Sequence, residues 1–146
     1  MCGIAGCYMV NSKVDHDVFE KMVDIISYRG PDDRDTFYEG NLALGHRRLS
    51  IIDLSEAGHQ PFHYKDRYVV VFNGEIYNYR ELREELESRG CSFVSECDTE
   101  VLIAAYDQYG PSCVDRFNGM WAFAVYDRKE KTVFLSRDRF GVKPLY

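Results

Sequence analysis

Cys2 directly follows the initiator methionine, and its small side chain permits removal of Met1, which would place a thiol and a free α-amine on one residue. That pairing has a mechanism. An α-amine titrates at about 7.7 to 8, so a useful fraction is neutral near pH 7 and can take the thiol proton without a catalytic histidine. Position alone also fits a small residue opening a buried strand, since buried structural cysteines are common and inert. The choice rests on the company Cys2 keeps.

Phe72-Asn73-Gly74-Glu75 follows an apolar run, where an Asn-Gly pair usually marks a tight turn. The residues after it, I-Y-N-Y-R-E-L, enter a helix and resist a simple hairpin. The pair is therefore expected at a strand end, with an amide side chain and a backbone N–H free to point into a cleft. Two such donors are what an oxyanion hole requires. In Gly45-His46-Arg47-Arg48-Leu49-Ser50-Ile51-Ile52-Asp53, two arginines sit inside a run otherwise suited to a buried strand. An arginine among core residues needs an anionic partner, either a substrate carboxylate or an internal acid such as Asp53. Asp98, at the start of a helical pattern, fits an N-cap or a group that holds a substrate ammonium. His46, His59 and His63 fall at irregular intervals with no H-E-x-x-H, so no metal site is expected. No G-x-G-x-x-G or P-loop is present.

The elements that must position these groups are legible in outline. With 146 residues, 45% of them hydrophobic, the chain can build one core, and one domain is expected. A net charge of −6 argues against nucleic acid or an anionic membrane as a partner. The longest apolar stretches fall far short of the ~20 residues a membrane span needs, and the amino terminus carries no basic leader. Five cysteines with no C-x-x-C argue against a disulfide framework or a zinc cage, and the cytoplasm is the expected compartment. Helices are expected over 14–28, with Val18, Met22, Val23, Ile25 and Ile26 on the buried face, from Asn78 to Arg89 with Glu81 closing a capping box, and from Asp98 to Gly110. Strands are expected at 4–10, 42–47, 68–72, 121–126 and 132–136, the last two joined as an antiparallel hairpin. Several are apolar almost throughout, as when both faces of a sheet are covered. The fold class is α+β.

Taken in order, M-C-G-I at 1–4, R-G-P-D at 29–32, G-H-R-R-L-S-I-I-D-L at 45–54, F-N-G-E-I-Y-N at 72–78, D-T-E-V at 98–101, G-M-W-A-F-A at 119–124 and R-D-R-F-G-V-K-P-L-Y at 137–146 resemble the class II glutamine amidotransferase domain of glutamine-hydrolysing asparagine synthetases. The resemblance spans the chain. It implies an Ntn-hydrolase fold, a four-layer α-β-β-α sandwich with two antiparallel sheets. It implies Cys2 as the nucleophile that forms a γ-glutamyl thioester, and Asn73 and Gly74 as the oxyanion hole. Arg48 would bind the α-carboxylate of L-glutamine, Leu49, Ser50, Ile51 and Ile52 would form the pocket wall, and Glu75 and Asp98 would hold the α-ammonium. No cofactor is implied for this chain, since ATP and Mg²⁺ belong to the synthetase domain, which would be the partner domain or chain; a homo-oligomer is left open. The family usually has serine where Cys97 stands, a small change expected to be tolerated. The chain stops at Pro144-Leu145-Tyr146, inside the resembling domain, so residues 1–146 are expected to be a partial domain with a sheet edge and apolar faces uncovered. The alternatives are a noncatalytic glutamine-binding or subunit-pairing remnant, and an amidotransferase serving another acceptor.

Overall fold

Alternation along the strands sorts the apolar residues into layers. The computed structural model describes residues 2–49 and 58–146. Strands β1 (Gly3–Tyr8), β2 (Asp33–Glu39) and β3 (Leu42–Arg48) form one antiparallel sheet in the order β1-β3-β2. A second antiparallel sheet has the order β4-β5-β6-β7, from Phe62–Tyr64, Tyr68–Ile76, Gly119–Asp127 and Thr132–Arg137. Along β3, Leu42 and Leu44 meet Val69 and Val71 of β5 and Ala124 and Tyr126 of β6 between the sheets. Ala43, on the opposite face of β3, packs with Phe19 and Val23 of helix α1 (His16–Ile25). The other face of β5 and β6, with Val70, Phe72, Trp121 and Phe123, packs under helices α2 (Tyr79–Ser88) and α3 (Asp98–Tyr109). The result is an α+β sandwich of two antiparallel sheets between helical layers. The almost continuous apolar runs of β5 and β6 follow from burial on both faces.

Several local expectations are corrected. Helix α1 buries Phe19 and Val23, one turn apart, whereas Val18, Met22 and Ile25 are exposed. The small Ala43 and Gly45 on β3 leave room for the Phe19 ring, so the large residue turns inward and the aliphatic flank stays in solvent. Asp15 caps this helix by accepting the Val18 N–H at 3.1 Å. No capping box forms at α2: the Asn78 amide instead bonds Arg116 O and Asn118 N, both at 2.9 Å, and ties the helix start to the chain entering β6. Strands β2 and β4 were not anticipated, because β2 is a polar edge strand (D-R-D-T-F-Y-E) and β4 has three residues. Asn73-Gly74 is not a turn, since β5 runs on to Ile76, paired with β6 along its length. Among the described residues no helix is long and apolar enough to cross a membrane.

Gly45 measures how closely α1 lies on β3. A Cβ there would overlap Val23 Cγ2 and stand 3.3 Å from the Phe19 ring. Gly45→Ala is expected to cost about 1–3 kcal/mol in urea unfolding, and the double variant with Val23→Ala to cost less than the two single changes summed.

Candidate functional site

The site grows from the strand β5 that outruns its neighbour. β4 begins at Phe62, opposite Val70, so beyond Val70 that side of β5 has no strand partner among the described residues. In an antiparallel ladder alternate residues turn their N–H and C=O to opposite sides. Phe72 and Ile76 direct theirs away from β6, and side chains complete the bonds. Phe72 N–H donates to Gln60 Oε1 at 2.7 Å, Phe72 C=O accepts from His46 Nε2 at 3.1 Å, and Ile76 N–H donates to Asp98 Oδ2 at 3.0 Å. Gly74, between them, turns its N–H to the same side, where a cavity of about 160 Å³ opens. A Cβ at 74 would overlap Met120 O and lie 2.6 Å from the Phe72 ring, so glycine is needed here for close approach to β6.

The same cavity is lined by Cys2, Arg48 and Leu49 from the first sheet, and by Asn73, Gly74, Glu75 and Asp98 from the second sheet and α3. Seven residues singled out from the sequence thus share one cavity. Ser50, Ile51, Ile52 and Asp53 lie outside the described residues. Cys2 precedes β1, whose first residue, Gly3, pairs with Arg47 of β3. That register sets the Cys2 sulfur against the Leu49 backbone, with Leu49 N–H 3.4 Å from Sγ, while Arg29 Nε holds the Cys2 carbonyl at 3.1 Å. The two neighbouring arginines part by alternation. Arg47 turns to α1, bonding Val23 O at 3.2 Å and pairing with Asp24, and Arg48 is buried at the cavity. Asn73 is 4% exposed, and among the described residues its carboxamide makes no hydrogen bond to the protein.

Electrostatics divide the cavity. Arg48 brings positive charge from the first sheet; Glu75 and Asp98 bring negative charge from the opposite wall. Burial pushes the Asp98 carboxyl up to about 6, with the Glu75 charge adding to it and the Ile76 N–H opposing. Lys143, 3% exposed, also lines the cavity. It is delivered by a strap after β7 in which Asp138 accepts N–H bonds from Val142 and Lys143, both at 2.9 Å, and Arg137 Nε bonds Lys143 O at 2.8 Å. Of the other thiols, burial raises Cys97 and pushes Cys113 up to about 12, which keeps both protonated at neutral pH. Burial holds His46 down at about 4, so the ring is neutral and donates to Phe72 C=O.

Sequence reasoning missed Gln60, Thr99 and Lys143 in the lining. Lys143 stood in a quoted block with no role attached, and a lone Gln beside Pro61 carries no periodic signal. Among the described residues no group of three His, Cys, Asp or Glu side chains is arranged to hold a metal ion.

A family profile described as "Glutamine amidotransferase domain" matches residues 1–146. The chain belongs to the glutamine amidotransferase family. It is 42% identical to asparagine synthetase [glutamine-hydrolyzing] 3 of Bacillus subtilis, over the whole of this chain and 24% of that protein. It is 43% identical to a putative asparagine synthetase [glutamine-hydrolyzing] 2 of Methanocaldococcus jannaschii, over the whole of this chain and 32% of that one. Amidase chyE of Penicillium rubens is 38% identical, with 24% of its length covered. This amidotransferase chain therefore spans about a quarter to a third of the length of these relatives. Among solved structures, the B. subtilis glutamine phosphoribosylpyrophosphate amidotransferase aligns with a TM-score of 0.60 and 23% identity, over 73% of this chain and 25% of that one. That likeness is one of fold.

Asp98 carries a stability cost with a definite sign. Its carboxyl is raised above the ordinary 3.8, so the folded state holds the proton more tightly and folding loses stability as pH climbs through about 4 to 6. Asp98→Asn keeps an acceptor for the Ile76 N–H and removes the buried charge. Relative to the parent protein it is expected to gain stability as pH rises from about 4 to about 7, by up to a few kcal/mol, read from denaturant midpoints.

Proposed function

We propose that this domain hydrolyses L-glutamine to glutamate and ammonia through a thioester on Cys2. The observation that carries the reading is one cavity lined both by the Cys2 thiol and by the buried residue Asn73, whose carboxamide has no hydrogen-bond partner among the described residues, with Arg48 on one wall and Asp98 on the other. With Met1 removed, the Cys2 α-amine takes the thiol proton and Sγ attacks the γ-carboxamide carbon. The carbonyl oxygen becomes an oxyanion, met by Asn73 Nδ2 and the Gly74 N–H; each such donor contributes about 3–4 kcal/mol in the transition state. Collapse breaks the C–N bond, the ammonium of Cys2 returns its proton to the departing nitrogen, and ammonia leaves. Water then attacks the γ-glutamyl thioester, the sulfur departs, and glutamate is released.

Arg48 pairs with the α-carboxylate, Leu49 lines the pocket beside it, and Glu75 and Asp98 receive the α-ammonium. Opposite charges arranged for the carboxylate and the ammonium on one α-carbon select a free amino acid over a protein-bound amide. This half-reaction calls for no cofactor. ATP and Mg²⁺ would serve a synthetase domain or chain that accepts the ammonia, and the names of the two asparagine synthetases make aspartate activation the first acceptor chemistry to try. The relative named an amidase, 38% identical, favours a second reading in which the same glutaminase site feeds another acceptor.

Cys2→Ala is expected to reduce glutamate release to the uncatalysed background while the unfolding midpoint stays close to that of the parent. Mass analysis after treatment with a glutamine-mimicking electrophile should find a chain that starts at Cys2 and carries one adduct, on Cys2. Release at full rate from Cys2→Ala, or normal turnover by protein retaining Met1, would exclude the mechanism. Asn73→Ala is expected to lower kcat about 10²–10³-fold. Because ammonium binding needs the Asp98 carboxylate, KM for glutamine should rise several-fold between about pH 7 and about pH 5, as Asp98 gains a proton around 6.

A further inference from the structure

Residues 59 and 60 tie together pieces of the site that no neighbouring strand connects. Gln60 is 6% exposed and uses both ends of its carboxamide. Oε1 accepts the Phe72 N–H at 2.7 Å, one residue before Asn73, and Nε2 donates to Thr99 Oγ1 at 3.2 Å, one residue after Asp98. One side chain therefore spans the β5 edge and the start of α3, and it also lines the cavity. The preceding residue fastens the segment to the other sheet. His59 lies between two carboxylates of β2, with Nδ1 2.5 Å from Asp33 Oδ2 and Nε2 3.0 Å from Asp35 Oδ2.

We propose that Gln60 is a positioning residue of the glutamine site, setting the Asn73–Gly74 donors against the Asp98 carboxylate, and that the His59 clasp on Asp33 and Asp35 holds Gln60 in register. The inference rests on the glutaminase reading for its kinetics and on hydrogen bonds alone for its structure.

The clasp depends on a proton. A carboxylate only accepts, so bonding one at each ring nitrogen requires both nitrogens to donate, which only the imidazolium can do. Among the described residues, the charged and titratable groups around His59 are Asp33 and Asp35 on β2, Arg48 and His46 on β3, and His63 on β4. Burial lowers the His59 pKa, but the bonds to Asp35 and Asp33 outweigh it and hold the ring above its ordinary 6.5. Asp33 moves the other way: burial raises it, and the His59 bond, the Arg34 N–H and the Arg48 charge bring it below the usual carboxylate range. A raised histidine contributes stability that is complete below 6.5 and disappears as pH climbs through the folded value. The clasp is thus closed in mild acid and loosens as pH climbs past the His59 midpoint, in the direction opposite to Asp98 protonation, so glutamine binding should fall both below the Asp98 midpoint and above that of His59.

The test follows the Phe72 amide and the His59 ring by NMR across about pH 5 to 9 in the parent and in His59→Gln, alongside glutamine kinetics. In the parent the Phe72 amide, which reports the Gln60 bond, should shift with the midpoint of the His59 ring, and that midpoint should exceed 6.5. KM should rise several-fold above it. His59→Gln should hold the Phe72 amide at its alkaline position and KM at its alkaline value throughout. Gln60→Met, which keeps volume and loses the acceptor, should lower kcat at least tenfold and raise KM. Gln60→Glu, which retains an acceptor for Phe72, should recover much of kcat. Thr99→Val, which cuts only the second bond, should raise KM with kcat little changed. A Phe72 amide indifferent to His59 titration overturns the clasp, and unchanged kinetics in both Gln60→Met and Thr99→Val overturn the positioning role. If the parent releases no glutamate while the Phe72 amide still follows His59, the clasp stands and the glutaminase reading falls.

Discussion

Strand β4 begins only at Phe62, opposite Val70, and that short partner is the constraint on which the cavity depends. Past Val70, β5 runs through a buried region with one side of its backbone unpaired. A buried peptide group without a partner costs about 1–3 kcal/mol, so side chains from elsewhere must finish the edge. Gln60 and His46 complete Phe72, and Asp98 completes Ile76. What remains is the Gly74 N–H, turned by alternation toward the space these side chains enclose. The donor that faces the cavity is therefore a sheet hydrogen bond left unmade, on a strand whose other side is locked to β6 from Tyr68 to Ile76.

The cavity gathers charges of both signs, and they are costly to hold. Arg48 arrives from the first sheet, while Glu75 and Asp98 arrive from the second sheet and α3, so the two signs are kept apart by the architecture. Placing a carboxylate in a nearly buried position opposes folding once it ionises, which the rise of Asp98 to about 6 records. Position at the N-terminal turn of α3 and the Ile76 N–H offset part of that cost. A cavity built in this way trades stability for a carboxylate that is charged at neutral pH.

How much was readable from the chain depended on the range of the interaction. The long apolar runs predicted β5 and β6, because pattern follows burial directly. The face of α1 was misread because the small residues that receive it, Ala43 and Gly45, lie on a distant strand. Asn78 looked like a cap and became a tie to residues 116 and 118, since tertiary partners outcompeted the local bond. Asn73-Gly74 looked like a turn because that dipeptide usually is one; here β6 lies against Gly74 so closely that only glycine fits.

The family, the fold class and the types of chemical group available to it follow from ordered blocks and hydrophobic period, which are properties of the linear chain. Cys2, Arg48, Asn73 and Asp98 could be named from residue type and flanking blocks. That they face one cavity was decided by strand register, which pairs Gly3 with Arg47 and so brings the start of β1 beside the end of β3. Gln60 and His59 had no signal at all, because their function lies in partners 12 to 39 positions away, and separation of that kind is resolved only when the sheets close on each other.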